Sequence, residues 1–275
     1  MMSTQPPKWG DNGPELFETS LPLATQLFPV WNVFSKDMVG TLKRIKEMGY
    51  DGVEFFGGLT FTAQDARRAL DEAGLQIAGW HTPWHYLSPE NIHSTITYNK
   101  VLDNRFLVVP WYTPEKLHTR AGCLKFAQEL TWAADVLSKH DMVTGFHNHT
   151  VEFRPTDDTG ELPWDIIAQN TPSNVIMQND VGNGMHGGGD TVGALKKYPG
   201  RGGTVHVKPF SSKQENVHFD DAHCEIDWDD YFETCRKYAG VCWYIIEYTN
   251  PERFPDDPMA AIAAAAKWFK GRGGR

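Results

Sequence analysis

Short apolar runs alternate with helical stretches along almost the whole chain, and this alternation constrains the fold more than any other feature. Eight runs have the length and content of buried strands: residues 23–31, 51–57, 75–84, 104–111, 142–149, 175–182, 203–210 and 242–250. Helical patterns follow these runs, among them residues 36–48, 62–73, 89–102, 114–140 and 258–270. Runs that are apolar throughout are typical of parallel strands covered on both faces.

The length of the repeating unit favours a closed barrel. Dividing the 275 residues among eight units leaves about 34 residues each, which is the size of a βα unit. An open doubly wound sheet would carry a glycine-rich phosphate-binding turn after its first strand, and residues 32–40, NVFSKDMVG, contain no such pattern. The glycines of residues 182–189 follow the sixth strand instead, and we predict a flexible loop there. We therefore predict one α/β domain, a single (β/α)8 TIM barrel over residues 1–275, with an irregular leader at 1–20 and a frayed tail at 271–275.

Composition argues against several classes of protein. Lys and Arg number 26 and Asp and Glu 35, and the resulting net charge of −9 argues against a nucleic-acid binder. No apolar run approaches the roughly 20 residues that a membrane helix needs, and the first residues lack the pattern of a cleaved signal. The four cysteines form neither a disulfide framework nor a paired zinc motif. We therefore expect a cytoplasmic protein.

Titratable side chains interrupt the predicted strands at or near their C-terminal ends, where a barrel of this type carries its chemistry. The strongest group takes one residue from each of four successive units: Glu152, Asp180, His206 and Glu247. Three carboxylates and one imidazole suit Mn²⁺, Mg²⁺, Co²⁺ or Zn²⁺. Each residue alone has a structural alternative, as a helix cap, a core histidine or a salt-bridge partner. Because all four occur together, we predict a site for one divalent metal ion.

Other polar residues at the strand ends are candidates for catalysis or substrate binding. His147 and His149 are two residues apart on the fifth strand, so both face one side, and a neutral imidazole is a natural proton shuttle. Lys208 shares the face of His206 and would polarise a substrate carbonyl or form an ordinary ion pair. We predict catalytic roles for His147, His149, Glu152, Lys208 and Glu247, and substrate binding by Glu54, His81, Trp111 and Lys208. Backbone contacts for Glu54 and His81, and a core position for Trp111, are the alternatives.

Five strings in this order resemble the sugar phosphate isomerase/epimerase family of xylose-isomerase-like TIM barrels. They are YDGVEFFG, HNHTVEF, NDVGNG, HVKPF and EIDWDDYF…WYIIEY, and the resemblance covers residues 23–270. It implies a divalent metal, often Mn²⁺, held by Glu152, Asp180, His206 and Glu247, with Lys208 matching the family's usual lysine. Many members carry a glutamate on strand five itself, where this chain has His147 and His149. One of these histidines is therefore an alternative first ligand.

The resemblance also implies the class of reaction. The family includes ketose epimerases, aldose–ketose isomerases, inosose dehydratases and proteins acting on 3-keto-glycosides. Their shared step removes a proton next to a carbonyl and gives an enediolate that the metal stabilises. We expect an isomerase, epimerase or lyase of carbohydrate metabolism whose sugar or keto-sugar is unphosphorylated, because the seventh and eighth loops carry no basic cluster apart from Lys208 and Lys213. The alternatives are an apurinic endonuclease-like nuclease and a non-catalytic sugar-binding barrel. Assembly into a homo-oligomer, or with a small partner subunit, stays open.

Overall fold

Eight parallel strands form a nearly closed barrel, so the predicted α/β TIM barrel is confirmed. The computed structural model describes residues 21–58, 60–214, 217–248 and 257–272. The strands are β1 (Leu23–Gln26), β2 (Gly52–Phe56), β3 (Gln76–His81), β4 (Phe106–Val109), β5 (Val143–His147), β6 (Ile176–Gln178), β7 (Thr204–Val207) and β8 (Trp243–Ile246). Hydrogen bonds connect them in the order β6-β5-β4-β3-β2-β1-β8-β7. β6 and β7 meet through an isolated parallel bridge between Asp180 and His206.

Helices follow the strands around the outside of the barrel. The α-helices are α1 (Trp31–Phe34), α2 (Met38–Glu47), α3 (Ala63–Ala73), α4 (Ile92–Leu102), α5 (Pro114–Leu117), α6 (Arg120–Ser138), α7 (Pro163–Gln169), α8 (Val181–His186), α9 (Thr191–Lys197), α10 (Trp228–Thr234) and α11 (Pro258–Gly271). Short 3-10 turns at Phe28–Val30, Trp84–Leu87 and Val151–Phe153 lie in the loops at the C-terminal ends of β1, β3 and β5.

Local signals in the sequence explain where these helices begin and end. The Thr62 side chain accepts a hydrogen bond from the Asp65 backbone at the start of α3, and Gly74 ends that helix with a φ of +68°. Two aspartates cap the first turns of consecutive helices in the same way as Thr62. Asp180 accepts from the backbone of α8 and Asp190 from the backbone of α9.

The barrel interior is apolar at its centre and polar above it. Ala24, Ile176 and Ile245 belong to a buried apolar cluster inside the sheet. Side chains two residues further along a strand return to the same face, one layer closer to its C-terminal end. At those positions β1 carries Gln26 and β6 carries Gln178. The interior therefore changes from hydrocarbon to polar side chains where the strands end.

The strands are shorter than the sequence predicts, and two predicted elements are wrong. The first candidate, 23–31, leaves the sheet after Gln26 and continues as a 3-10 turn and α1. The single helix predicted over 114–140 is two helices, α5 and α6, separated at residues 118–119. The predicted flexible loop at 182–189 begins instead as helix α8, because Asp180 caps its first turn and the glycines pack closely against neighbouring segments.

Two further expectations concern the ends of the chain and membranes. The leader predicted at 1–20 and most of the tail predicted at 271–275 lie outside the described residues, and Gly271 still belongs to α11. In the described part of the chain, no helix combines the length and the apolar character that a membrane crossing requires.

Candidate metal and active site

Four buried side chains at the C-terminal end of the barrel point their ligand atoms at one another. They are His147, Asp180, His206 and Glu247, which lie in or directly after the last residues of β5, β6, β7 and β8. One ligand atom from each lies within 4.8 Å of the other three. Two imidazoles and two carboxylates are a donor set that suits Zn²⁺, Mn²⁺, Co²⁺ or Fe²⁺. We call these four residues the quartet.

Two ligand atoms of the quartet, on His147 and Asp180, make no hydrogen bond to the other members. His147 Nε2 is buried with no hydrogen-bond partner and lies 3.9 Å from Glu247 Oε2. Asp180 Oδ2 lies 3.9 Å from His206 Nδ1, beyond hydrogen-bond distance. An unpaired buried polar atom costs about 1–3 kcal/mol, so a ligand that bonds to it would be favoured. The donor set and the unpartnered nitrogen therefore both fit a metal ion.

His206 is held between two carboxylates. Its Nε2 donates to Glu54 Oε2 at 2.8 Å, and its Nδ1 contacts Glu247 Oε2. Burial alone would lower the pKa of His206, but the Glu54 and Glu247 carboxylates raise it to about 10. The ring is therefore an imidazolium when no metal is bound. His206 would offer Nδ1 to a metal only after losing that proton, and Glu54 orients the ring through Nε2, as carboxylates do for metal-binding histidines.

Lys208 neutralises the carboxylates of the quartet. Its Nζ donates to Glu247 Oε1 at 2.9 Å and lies 4.0 Å from Asp180 Oδ2. Burial alone would lower its pKa, but Glu247 and Asp180 raise it, so the side chain is a cation. Burial raises the pKa of Asp180 to about 7, although Lys208 and His206 oppose the shift.

Beneath the quartet, neutral amides connect the histidines and Glu54. Gln26 Nε2 donates to His81 Nδ1 at 2.7 Å and to Glu54 Oε2 at 3.3 Å. Gln178 contacts both His81 and His147. A second group of three histidines, His81, His147 and His206, also brings ring nitrogens within 4.8 Å. Both nitrogens of His81 are engaged in this network, and its ring stacks on His206 at an interplanar angle of 7°, so the quartet is the better metal site.

His149 and Trp111 lie beside the quartet, toward the solvent. The ring of His149 is 4.9 Å from that of His147 and 5.5 Å from that of Trp111. His149 Nδ1 is buried without a partner, and burial is the main reason that the pKa of His149 falls to about 4. The Trp111 side chain is 56% exposed. A neutral imidazole and an exposed indole thus form one wall of the approach to the quartet.

Glu152 takes part in a backbone contact rather than in the quartet. Its Oε2 accepts a hydrogen bond from the backbone nitrogen of His149 at 2.8 Å, and it lies in the 3-10 turn after β5. Burial raises the pKa of Glu152 to about 7, although hydrogen bonds from its own backbone and that of His149 lower it. Its carboxyl group thus fixes the turn that carries His149.

The sequence of this barrel matches a known protein family. The sequence pattern of one family, described as xylose isomerase-like TIM barrel, matches residues 42–272. This chain belongs to that family. Among curated proteins, none matches the sequence significantly.

Solved structures of similar fold include a sugar phosphate isomerase/epimerase, an endonuclease and a sugar epimerase. A sugar phosphate isomerase/epimerase from Parabacteroides distasonis has 18% identity and a TM-score of 0.76, over 92% of this chain and 95% of that one. An AP endonuclease of family 2 from Brucella melitensis has 20% identity and a TM-score of 0.67, over 91% and 98%. A D-allulose 3-epimerase from a Methylomonas species, in complex with D-allulose, has 12% identity and a TM-score of 0.65, over 93% and 98%. At these identities the likeness concerns the fold.

In this xylose isomerase-like barrel, the structure separates the residues singled out from the sequence into three sets. Asp180, His206 and Glu247 come together, with His147 as the fourth member and Lys208 in contact. Glu54 and His81 lie in the polar layer beneath. His149, Glu152 and Trp111 lie beside it.

Gln26 and Gln178 were not predicted from the sequence, because a neutral amide is neither a typical metal ligand nor a proton-transfer group. A glutamine at the end of an otherwise apolar strand, as in LATQ and VIMQ, was the available signal. Such a side chain has to find hydrogen-bond partners inside the barrel.

Proposed function

We propose that this protein is an enzyme that uses one divalent metal ion to move a proton at a carbon next to a carbonyl of an unphosphorylated sugar or keto-sugar. Isomerisation, epimerisation and elimination, the lyase outcome, share this step. The observation that carries the proposal is the quartet, with His147 Nε2 buried, unpartnered and facing two carboxylates. A binding barrel without chemistry would gain nothing from so costly a group at its mouth.

We assign the first metal ligand to His147 rather than to Glu152. The Glu152 carboxylate is engaged with the backbone of its own turn, whereas His147 Nε2 is free and close to Glu247. Asp180, His206 and Glu247 supply the other three ligands. Mn²⁺ remains the expected ion, and Zn²⁺, Co²⁺ and Mg²⁺ are alternatives. When bound, the ion would offset negative charge that develops on the substrate oxygens.

The remaining residues around the quartet supply proton transfer and orientation. His149 has a neutral ring with an unpartnered nitrogen, so it accepts a proton from the substrate carbon or passes one to it. The Lys208 ammonium donates to the carbonyl oxygen of the substrate as charge builds there. Trp111 offers an exposed face against which a sugar ring packs. Glu54 and His81 act from below, through His206 and the amides, and Glu152 acts through the turn of His149.

Charge at the site supports an unphosphorylated substrate. Among the described residues, Lys208 is the cation in contact with the quartet, and its ammonium is already paired with Glu247. A phosphate group needs unpaired cations or clustered backbone amides. The net charge of −9 likewise disfavours DNA, the substrate of an apurinic endonuclease. The four cysteines are free thiols, which agrees with the cytoplasmic location expected from the sequence.

Metal content tests the site, and two aspartates provide a matched pair of variants. Asp180 and Asp190 each cap a helix by accepting a backbone hydrogen bond at 2.7 Å, but only Asp180 belongs to the quartet. Elemental analysis should find one metal per chain in the wild type and in Asp190→Ala, and a large loss in Asp180→Ala. Three metals per chain would favour the endonuclease, and none would favour a sugar-binding barrel.

Isotope exchange tests the reaction. Incubation in D₂O with unphosphorylated ketoses such as D-allulose and D-fructose, and with 3-keto-glycosides, should place deuterium at the carbon next to the carbonyl. Proton NMR of the recovered sugar detects the loss of that C–H signal. Turnover without any solvent label would indicate a hydride shift and refute the role given to His149. The protein treated with chelator is the control for exchange catalysed by buffer.

A further inference from the structure

Gln178 lies at the end of β6, beneath the quartet, and its side-chain amide contacts four polar groups. Its nitrogen, Nε2, donates to Glu54 Oε1 at 3.0 Å and to Thr204 Oγ1 at 2.8 Å. Its oxygen, Oε1, lies 2.7 Å from His81 Nε2 and 2.9 Å from His147 Nδ1. All five side chains are almost completely buried, so no solvent competes for these contacts.

The contacts of Glu54 fix which end of the amide faces the histidines. Its Oε1 accepts from Gln178 Nε2 at 3.0 Å, and its Oε2 accepts from Gln26 Nε2 at 3.3 Å and contacts His206 Nε2 at 2.8 Å, so this carboxyl group is surrounded by donors. Turning the Gln178 amide over would place its oxygen against that carboxylate. The nitrogen therefore faces Glu54, and Oε1 faces the two histidines.

The orientation of the amide determines where each histidine carries its proton. An amide oxygen only accepts, so the ring nitrogens facing it, His81 Nε2 and His147 Nδ1, both carry hydrogen. A neutral imidazole has one N–H, and the other nitrogen then carries a lone pair. In His81 that lone pair is on Nδ1, where Gln26 Nε2 donates to it at 2.7 Å, as this arrangement requires. In His147 it is on Nε2, the unpartnered atom of the quartet.

We propose that Gln178 is a positioning residue that fixes the tautomer of His147, so that the Nε2 lone pair faces the metal position. The inference rests on the metal site proposed above and adds how the protein prepares it. Metal-binding histidines commonly need a partner at their second nitrogen to set the tautomer, usually a carboxylate, a backbone carbonyl or water. Here a neutral side-chain amide fills that position, and it serves two histidines with one oxygen.

Three variants separate the tautomer from general packing. Gln178→Met keeps an unbranched chain but removes the oxygen, so His147 Nδ1–H loses its acceptor and the proton moves to Nε2. Gln178→Glu keeps an oxygen facing both histidines, and its second oxygen, held protonated, would donate to Glu54 in place of the amide nitrogen, so this variant should rescue the tautomer. Thr204→Val removes an acceptor on the other side of the same amide, away from the histidines, and is the control for disturbing this layer.

Nitrogen-15 NMR of histidine-labelled, metal-free protein measures the tautomer directly, with the His147 signals assigned from a His147→Gln variant. His147 Nε2 should give the signal of an unprotonated nitrogen in the wild type, Gln178→Glu and Thr204→Val. In Gln178→Met it should give that of a protonated nitrogen. Calorimetry with Mn²⁺ should show Kd raised roughly 10–100-fold in Gln178→Met, the range for losing such a partner, and little changed in Thr204→Val.

A protonated His147 Nε2 in the metal-free wild type would overturn the proposal, whether or not the variants fold. So would a Gln178→Met protein with an unchanged tautomer and an unchanged Kd, or a Thr204→Val protein with the same losses as Gln178→Met. Should Gln178→Met fail to fold, a shift of the tautomer in Gln178→Glu would count against the proposal. A wild type that shows the expected tautomer but binds no metal would refute the proposed function instead, so the two failures are distinguishable.

Discussion

Replacing Glu152 by Gln should make the protein more stable at alkaline pH and leave metal binding unchanged. Burial raises the pKa of this carboxyl to about 7 in the folded protein, against an ordinary value of 4.5. The folded state therefore holds the proton more tightly than the unfolded chain, and wild-type stability falls as pH rises from about 4.5 to about 7. A difference of about 2.5 pKa units corresponds to about 3 kcal/mol once both states are ionised.

The expected gain depends on pH in a way that a simple packing change would not. In the wild type, ionisation of Glu152 lowers the free energy of unfolding by about 1 kcal/mol at pH 5 and by about 3 kcal/mol at pH 8. A glutamine side chain at this position has no proton to lose, and its amide oxygen still accepts from the His149 backbone. The unfolding free energy of Glu152→Gln, relative to wild type, should thus improve by roughly 2 to 3 kcal/mol between pH 5 and pH 8.

Urea unfolding followed by circular dichroism in the presence of a chelator measures this difference. Glu161→Gln is the control, because Glu161 lies in the same loop but its side chain is 43% exposed and pairs with Arg120. A relative stability that does not change with pH would refute the reasoning about burial. A fall in Mn²⁺ affinity of more than tenfold in Glu152→Gln would return this glutamate to the ligand set in place of His147.

Three further changes test other parts of the site. Glu247→Ala should raise the Kd for Mn²⁺ by more than the 10–100-fold typical of losing a residue that only orients a ligand, while the circular dichroism of the barrel is retained. Calorimetry measures the Kd, and an unchanged value would show that Glu247 is not a metal ligand. His149→Ala should lower kcat by roughly 10²–10⁴ with near-normal metal content, whereas the exposed His223→Ala should behave like wild type; equal rates in the two variants would exclude His149 as the proton-transfer group. Gly145→Ala should destabilise the barrel by about 1–3 kcal/mol in urea, because its Cβ would lie 2.1 Å from a backbone carbonyl of β6; an unchanged midpoint would show that the two strands separate easily.

The barrel and most of its polar mouth could be predicted from the sequence, because strand periodicity and titratable residues are visible there. Asp180, His206 and Glu247 end successive apolar runs, and the closure of the sheet necessarily brings such positions together. Whether His147 or Glu152 joins the quartet could not be predicted from the sequence. It depends on whether the chain turns after His147, and the 3-10 turn at Val151–Phe153 directs Glu152 to its own backbone.

The segment after β6 shows the limit of local rules. Its glycines predict a loop, since glycine is unfavourable within helices. In the folded protein a Cβ on Gly182 would lie 2.7 Å from the Lys208 carbonyl, and one on Gly184 would lie 2.1 Å from the Thr191 side chain. The glycines are there because α8 packs closely against its neighbours. Contacts between segments distant in sequence decide whether residues 182–189 form a helix or a loop, and a single sequence does not reveal such contacts.

The meeting of β6 and β7 also bears on how easily the barrel opens. Asp180 and His206 form the bridge between the two edge strands, and both are proposed metal ligands. An ion held there would join the two ends of the sheet where strand pairing is thinnest. At a metal concentration of about 1,000 times Kd it would add about 4 kcal/mol to the free energy of opening. Without bound metal this edge lacks that contribution, and local opening there would cost correspondingly less free energy.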